Sequence, residues 1–191
     1  MREAAADEND LARAIGRVAM NSAQTDERLR RVIHELIGLD DAAWILFEGQ
    51  PTEKLVRDAD KLLELQTSQY EADLVAQLRL VLGDIRRLVS HRNIVVHGLW
   101  SSSAFWEEGG LDDDTITCPW GQIDDGSPQM FCFRSRYGRY DGQIKVRVSE
   151  VNALADMIDT SSRSLMVSYA EMRKKLYSWP TEWDKWLGEK G

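Results

Sequence analysis

LVAQLRLVLGDIRRLVSHRNIVVHG, residues 74–98, decides the fold. From Leu74 the apolar positions run Leu78, Val81, Leu82, Ile85, Leu88 and Val89, spaced by threes and fours as along one face of a helix. Arg92 falls next on that line. A buried, unpaired guanidinium is costly, so Arg92 needs a carboxylate, a bound anion or a wet cleft beside it. Asn93 and His97 are four apart and share a neighbouring line, so three polar groups gather at one helix end.

Arg92 and His97 are separated by about 140° around an ideal helix. Both reach one ligand only if the helix is ending or a second chain contributes. Gly98 is a natural C-terminal stop, and a histidine in a last turn sits near the negative end of the macrodipole, which favours its protonated form. Such a group is suited to proton exchange near neutral pH. The alternative is structural, with Arg92 paired to a core acid and His97 capping the helix.

Arg92-Asn93, three further residues and His97-Gly98, closing a long amphipathic helix, resemble the signature of the HEPN superfamily. The likeness covers about residues 8–100 and 149–178, an all-helical region before the motif and a long helix after the insert. It implies a mainly α fold, an antiparallel helical bundle that dimerises, and in active members a metal-independent ribonuclease whose composite cleft is lined by Arg and His from both protomers. Arg92 matches the family's arginine, Asn93 the polar residue that often follows it, and His97 its histidine. Leu99 is a departure. One subgroup of HEPN toxins carries a tyrosine at that place for a partner nucleotidyltransferase to modify, and leucine takes that regulation out of what the resemblance implies. A toxin or phage-defence setting, with a cognate protein inhibitor, is likewise what the family suggests.

Length and composition agree with a single domain over residues 1–191. A chain of 191 residues with 43% hydrophobic and 29% charged content has enough apolar mass for a core. No stretch approaches a membrane span, and the opening residues lack the basic-then-apolar order of a secretory signal, so a cytoplasmic protein without membrane association is expected. Cys118 and Cys132 are then read as reduced thiols. Neither stands at zinc spacing from a histidine, and His34, His91 and His97 are scattered, so no metal or other cofactor is expected.

The net charge of −8 argues against a broad, sequence-independent grip on nucleic acid. Its distribution is uneven. Residues 99–128 carry seven acids (Glu107, Glu108, Asp112, Asp113, Asp114, Asp124, Asp125) and no Lys or Arg, whereas 129–147 carry five basic residues and only Asp141. In the second block Met130, Cys132, Arg134 and Arg136 alternate with Phe131, Phe133, Ser135 and Tyr137, and Ile144, Val146 and Val148 alternate with Lys145 and Arg147. This is strand periodicity, giving a small antiparallel β insert over about residues 99–148. With Asp141-Gly142 as the central turn residues, Tyr137 faces Val146 and Arg136 faces Arg147. One hairpin face is then apolar, and the other gathers Arg134, Arg136, Lys145 and Arg147 as a candidate substrate-binding surface. The competing reading pairs these cations with the acidic loop or leaves them solvated.

Residues 8–97 read as helices. Leu11, Ile15, Val18 and Ala19 form one stripe and Leu29, Val32, Ile33, Leu36 and Ile37 another, with Thr25-Asp26 as a break or capped start and Gly38 as the end. Asp40 or Asp41 caps a short helix carrying Trp44, Ile45 and Phe47, stopped by Gly49. Pro51-Thr52 opens a segment with Leu55, Val56, Leu62 and Leu63, and a break near Thr67-Ser68 leads into the motif helix. After the insert, Ser149 caps a core helix over about 149–178. A tail over 179–191 places Trp179, Trp183 and Trp186 around Pro180, to be covered by the bundle or a neighbouring subunit. Trp100, Trp106 and Trp120 either wall the motif's cleft, stacking a base, or pack the insert.

Two functions follow. One is a metal-independent endoribonuclease in which the substrate's own 2′-hydroxyl attacks phosphorus, leaving a 2′,3′-cyclic phosphate. His97 moves protons, Arg92 stabilises the transition state and Asn93 orients the pair. The other is a non-catalytic module of the same type that binds a nucleotide or a partner protein.

Overall fold

The computed structural model describes residues 2–38, 44–67, 70–101, 115–136 and 139–176. Five helices, α1 (Arg2–Ile37), α2 (Trp44–Phe47), α3 (Thr52–Leu65), α4 (Ala72–His97) and α5 (Val148–Leu176), account for most of them. Between α4 and α5 lie β1 (Leu99–Ser101), β2 (Thr115–Thr117), β3 (Gln129–Arg136) and β4 (Arg139–Arg147). The fold is thus mainly helical with a small sheet after the motif helix. Two compact units are formed, one from Met1–Thr25 with Ile85–Thr160 and one from Asp26–Asp84 with Ser161–Gly191.

In the second unit, α3 buries Leu55, Val56, Ala59 and Leu63, and α1 buries Leu29, Val32, Ile33 and Leu36, both at helical spacing. Polar contacts give the directions. Thr52 Oγ1 donates to Asp26 Oδ1 (2.6 Å) and Gln66 Nε2 to the Leu36 carbonyl (2.5 Å), so α3 advances along α1 in the same sense. Arg28 Nη1 donates to Ser162 Oγ (2.8 Å) and Tyr169 Oη to Glu35 Oε2 (2.9 Å), so α5 does as well. Only α4 is seen to run against a neighbour, with Arg79 pairing Asp60 at 2.9 Å and Tyr70 Oη donating to Gln66 Oε1 at 3.2 Å. The expected antiparallel arrangement therefore holds for α3 and α4 and not for α1 with α3 or α5. The chain between α1 and α3 returns to the start of this α1 segment, where Arg30 Nε donates to the Phe47 carbonyl, before α3 begins.

Thr25-Asp26 does not break α1. The buried Thr25 hydroxyl donates to the Asn21 carbonyl (2.8 Å), one turn back, and the helix runs on to Ile37. Gly38, at φ 64°, ends it as expected, its N–H reaching the His34 carbonyl at 3.1 Å. Asp40, Asp41, Ser68, Trp106 and the tail tryptophans lie outside the described residues.

The first unit packs the sheet on helices. Met130, Cys132, Ile144 and Val146 form the buried sheet face, against Leu11, Ala14 and Val18 of α1, Leu88, Ile94 and Val95 of α4, and Val151, Leu154, Ala155 and Ile158 of α5. Strand order is β1-β3-β4-β2. The sheet is mixed, not wholly antiparallel: β1 and β4 run against β3, while β2 lies parallel to β4. With β3 already flanked by β1 and β4, a strand opposed to β3 joins the remaining edge of β4 in parallel.

The hairpin register also differs from the expected one. Met130 pairs with Val146, Cys132 with Ile144 and Phe131 with Lys145, then after an irregularity Ser135 pairs with Tyr140 and Arg136 with Arg139. The strands therefore turn between Arg136 and Arg139, not at Asp141-Gly142. Because side chains alternate, register follows whichever pairing buries one apolar set, and Met130, Cys132, Ile144 and Val146 are that set. Arg147 thus faces Gln129 and not Arg136.

Candidate functional site

Arg92, Asn93 and His97 occupy the last two turns of α4, all within the first unit. Ile85, Leu88, Val89 and Val95 are buried on α4, and Arg92 stands on their line at helical spacing. Its side chain is half-buried. Nη1 donates to Asn93 Oδ1 at 2.8 Å, while Nε is buried without an acceptor among the described residues. The guanidinium is therefore anchored by a neutral amide, while its Nε–H is buried without a partner among the described residues.

His97 is exposed. A helix end leaves carbonyls without amide partners, and a terminal histidine is one way to serve them. Here other groups take that place. Trp100 Nε1 donates to the Val95 carbonyl (3.0 Å), and the buried Cys132 thiol to the Ile94 carbonyl (3.5 Å). The imidazole is thus not required to close the helix. Gly98, which follows it, is held against β3: an added β-carbon would lie 2.2 Å from Cys132 Sγ, 2.6 Å from the Ile94 carbonyl oxygen and 3.6 Å from that of Phe133. Glycine is needed there for this close approach.

His91, one position before Arg92, meets Trp120 with ring centroids 5.6 Å apart and planes at 53°. Burial, and then the nearby Arg87 charge, lower its pKa and favour the neutral imidazole. Trp120 in turn donates Nε1 to the Glu150 carbonyl (2.8 Å). The buried Glu150 carboxylate accepts the Ile123 amide (2.9 Å) and the Arg147 amide (2.7 Å). Being third in α5 and reaching back to the residue before it, Glu150 supplies the cap expected of Ser149. Trp100 and Trp120 therefore both have their indole N–H groups committed to helix carbonyls, one in α4 and one in α5. The His91–Trp120–Glu150 chain had no local sequence signal, since its members come from three separate segments.

Of the four expected substrate-binding residues, Arg147 and Lys145 have side chains within the described set. Arg147 is held by the acidic loop, with Nη2 2.8 Å from Asp124 and Nη1 3.8 Å from Asp125 as well as donating to the Ser127 carbonyl. Ser127 donates both its hydroxyl (2.6 Å) and its amide (3.0 Å) to Asp125, holding that carboxyl down to about 2. The loop is therefore anionic beside Arg147 at neutral pH. Lys145 Nζ lies 5.7 Å from the Phe131 ring centroid. The side chains of Arg134 and Arg136 lie outside the described set, and only their backbone positions on β3 are given.

Cys118 and Cys132 are both buried and unbridged, and burial pushes the Cys118 thiol up to about 11. Among the described residues, no three His, Cys, Asp or Glu side chains cluster for a metal ion, and no helix is long and apolar enough to cross a membrane. Comparisons with protein-family models, curated proteins and solved structures return no match for this chain.

Proposed function

We propose that this chain is a metal-independent endoribonuclease of HEPN type, acting as a homodimer on RNA, with Arg92, Asn93 and His97 as its working residues. The observation that carries the reading is the capping of α4 by Trp100 and Cys132, which leaves the exposed His97 without a structural duty at the helix end. In the proposed reaction a ribose 2′-hydroxyl loses its proton to an imidazole and attacks the adjacent phosphorus. The 5′-oxygen leaves with a proton from a second imidazole or from water, and a 2′,3′-cyclic phosphate remains. Arg92 neutralises the phosphorane oxygens, and Asn93, already accepting from Arg92 Nη1, fixes the guanidinium.

Arg92 on the buried line and His97 on the exposed side, about 140° apart, favour a site completed by a second copy. The same separation supports a second reading, a module binding a nucleotide or protein partner through Arg92 alone. Incubating wild type and His97→Ala with mixed RNA in chelator separates them. Under the nuclease reading wild type cleaves and His97→Ala loses about a thousandfold or more of the rate, while remaining folded. Cleavage retained by His97→Ala ends the catalytic reading. Nucleotide or partner binding by an inert wild type, weakened by Arg92→Ala, establishes the module.

A further inference from the structure

Residues 118–128 join β2 to β3 without helix or strand, inside the first unit. Polar bonds tie this segment to β4 and to the start of α5. The Ile123 amide donates to the Glu150 carboxylate (2.9 Å) and Trp120 Nε1 to the Glu150 carbonyl (2.8 Å), while Arg147 pairs with Asp124 and donates to the Ser127 carbonyl. The segment's one aromatic side chain, Trp120, also packs on the core and meets α4 at His91, with ring centroids 5.6 Å apart.

His91 stands on the inner side of α4, three residues after Leu88 and three and four before Ile94 and Val95, all of them buried. Its Nδ1 is buried without a partner among the described residues. The neutral ring is tolerated there as a packing group. A proton makes both ring nitrogens donors and adds a charge, neither of which this position can serve.

The titratable or charged side chains on the elements that meet here are Arg87 and Arg92 on α4, Cys118, Asp124 and Asp125 on the segment, Arg147 on β4 and Glu150 on α5. Arg87 acts on the imidazole and, being a cation, opposes its protonation. Asp124 and Asp125 are engaged by Arg147, the Glu150 carboxylate accepts two backbone amides, and burial keeps the Cys118 thiol neutral.

We propose that residues 118–128 form a pH-operated strap on α4, in which protonation of His91 drives its ring off Trp120 and frees the segment from the helix. The device goes beyond the RNA reading and does not depend on it. Because His91 immediately precedes Arg92, the strap opens beside the candidate site's arginine. The sign follows from burial and Arg87, which favour the neutral ring in the closed state: the strap is closed above about 6.5 and opens as pH falls below that value.

The test is NMR-detected hydrogen exchange on the full chain, with protection corrected for the intrinsic rate at each pH. The Trp120 indole N–H and the Ile123 amide report the strap. Two controls are built in: the Arg147 amide, which shares the Glu150 carboxylate but lies on β4, and the Trp100 indole N–H, bound to the Val95 carbonyl of α4. From about pH 7.5 to about pH 5, strap protection should fall about fivefold or more, and that of the controls by less than about twofold. In His91→Phe, whose ring does not titrate, strap protection should change by less than about twofold over the same range. Wild type alone also carries the test, since the His91 ring protons and the loss of strap protection should share one midpoint. Unchanged strap protection in wild type, an equal fall in His91→Phe, an equal fall at the two controls, or midpoints about one pH unit or more apart overturns the proposal.

Discussion

Gly98 and Cys132 are in such close approach that a β-carbon on Gly98 would stand 2.2 Å from the Cys132 sulfur. This contact joins the end of α4 to β3 and sets where His97 emerges. Gly98→Ala is expected to destabilise the protein by roughly 1–3 kcal/mol, as for other overpacked positions, read from the urea midpoint. Cys132→Ala in that background should recover part of the loss, giving a measurable coupling energy. Recovery should be incomplete, because the Ile94 carbonyl oxygen, 2.6 Å from the added carbon, remains. A Gly98→Ala protein as stable as wild type would contradict the contact.

Glu150 closes the start of α5 by accepting two backbone amides while buried. Glu150→Ala leaves the Ile123 and Arg147 amides without that acceptor, at a cost of about 2–4 kcal/mol, and Glu150→Gln, which retains one carbonyl oxygen, should cost less. Chemical denaturation of the two variants checks both the size and the order.

His91 gives stability a pH dependence of known sign. Its folded pKa lies below the ordinary histidine value of about 6.5, so the folded state resists protonation that the unfolded chain accepts. The contribution is fully present above about 6.5 and is lost as pH falls through the folded pKa. Denaturation midpoints at neutral and mildly acidic pH should therefore differ more for wild type than for His91→Phe. Equal acid sensitivity in the two proteins would show that His91 is not the group responsible.

The proposed composite site predicts complementation. Arg92→Ala and His97→Ala should each be inactive alone, and mixing them after brief unfolding and refolding should restore about a quarter of wild-type activity, from mixed dimers holding one intact pair of residues. Activity that never returns, although mixed dimers form, argues against shared use of the two residues.

Much of this organisation is written in local pattern. Leu78, Leu82, Ile85 and Leu88 mark α4 by spacing alone, Gly38 marks the end of α1, and alternation marks β3 and β4. Long-range choices were not legible in the same way. Asp141-Gly142 is a strong local turn signal, yet the hairpin turns between Arg136 and Arg139, because pairing Met130 with Val146 and Cys132 with Ile144 fills the core. Thr25 reads as a break but hydrogen-bonds back within α1. At the candidate site, Arg92, Asn93 and His97 were visible as a polar interruption of an apolar stripe. The capping of their helix by Trp100 and Cys132, and the capture of Arg147 by Asp124, depend on folded contacts that no local spacing encodes.

The most direct test of the account is the chemistry of the RNA ends produced in the presence of chelator. Wild-type protein should leave 2′,3′-cyclic phosphate and 5′-hydroxyl termini at undiminished rate when divalent ions are removed, and His97→Ala should leave none. Fragments ending in 3′-hydroxyl and 5′-phosphate, or cleavage that stops with the chelator, would contradict it.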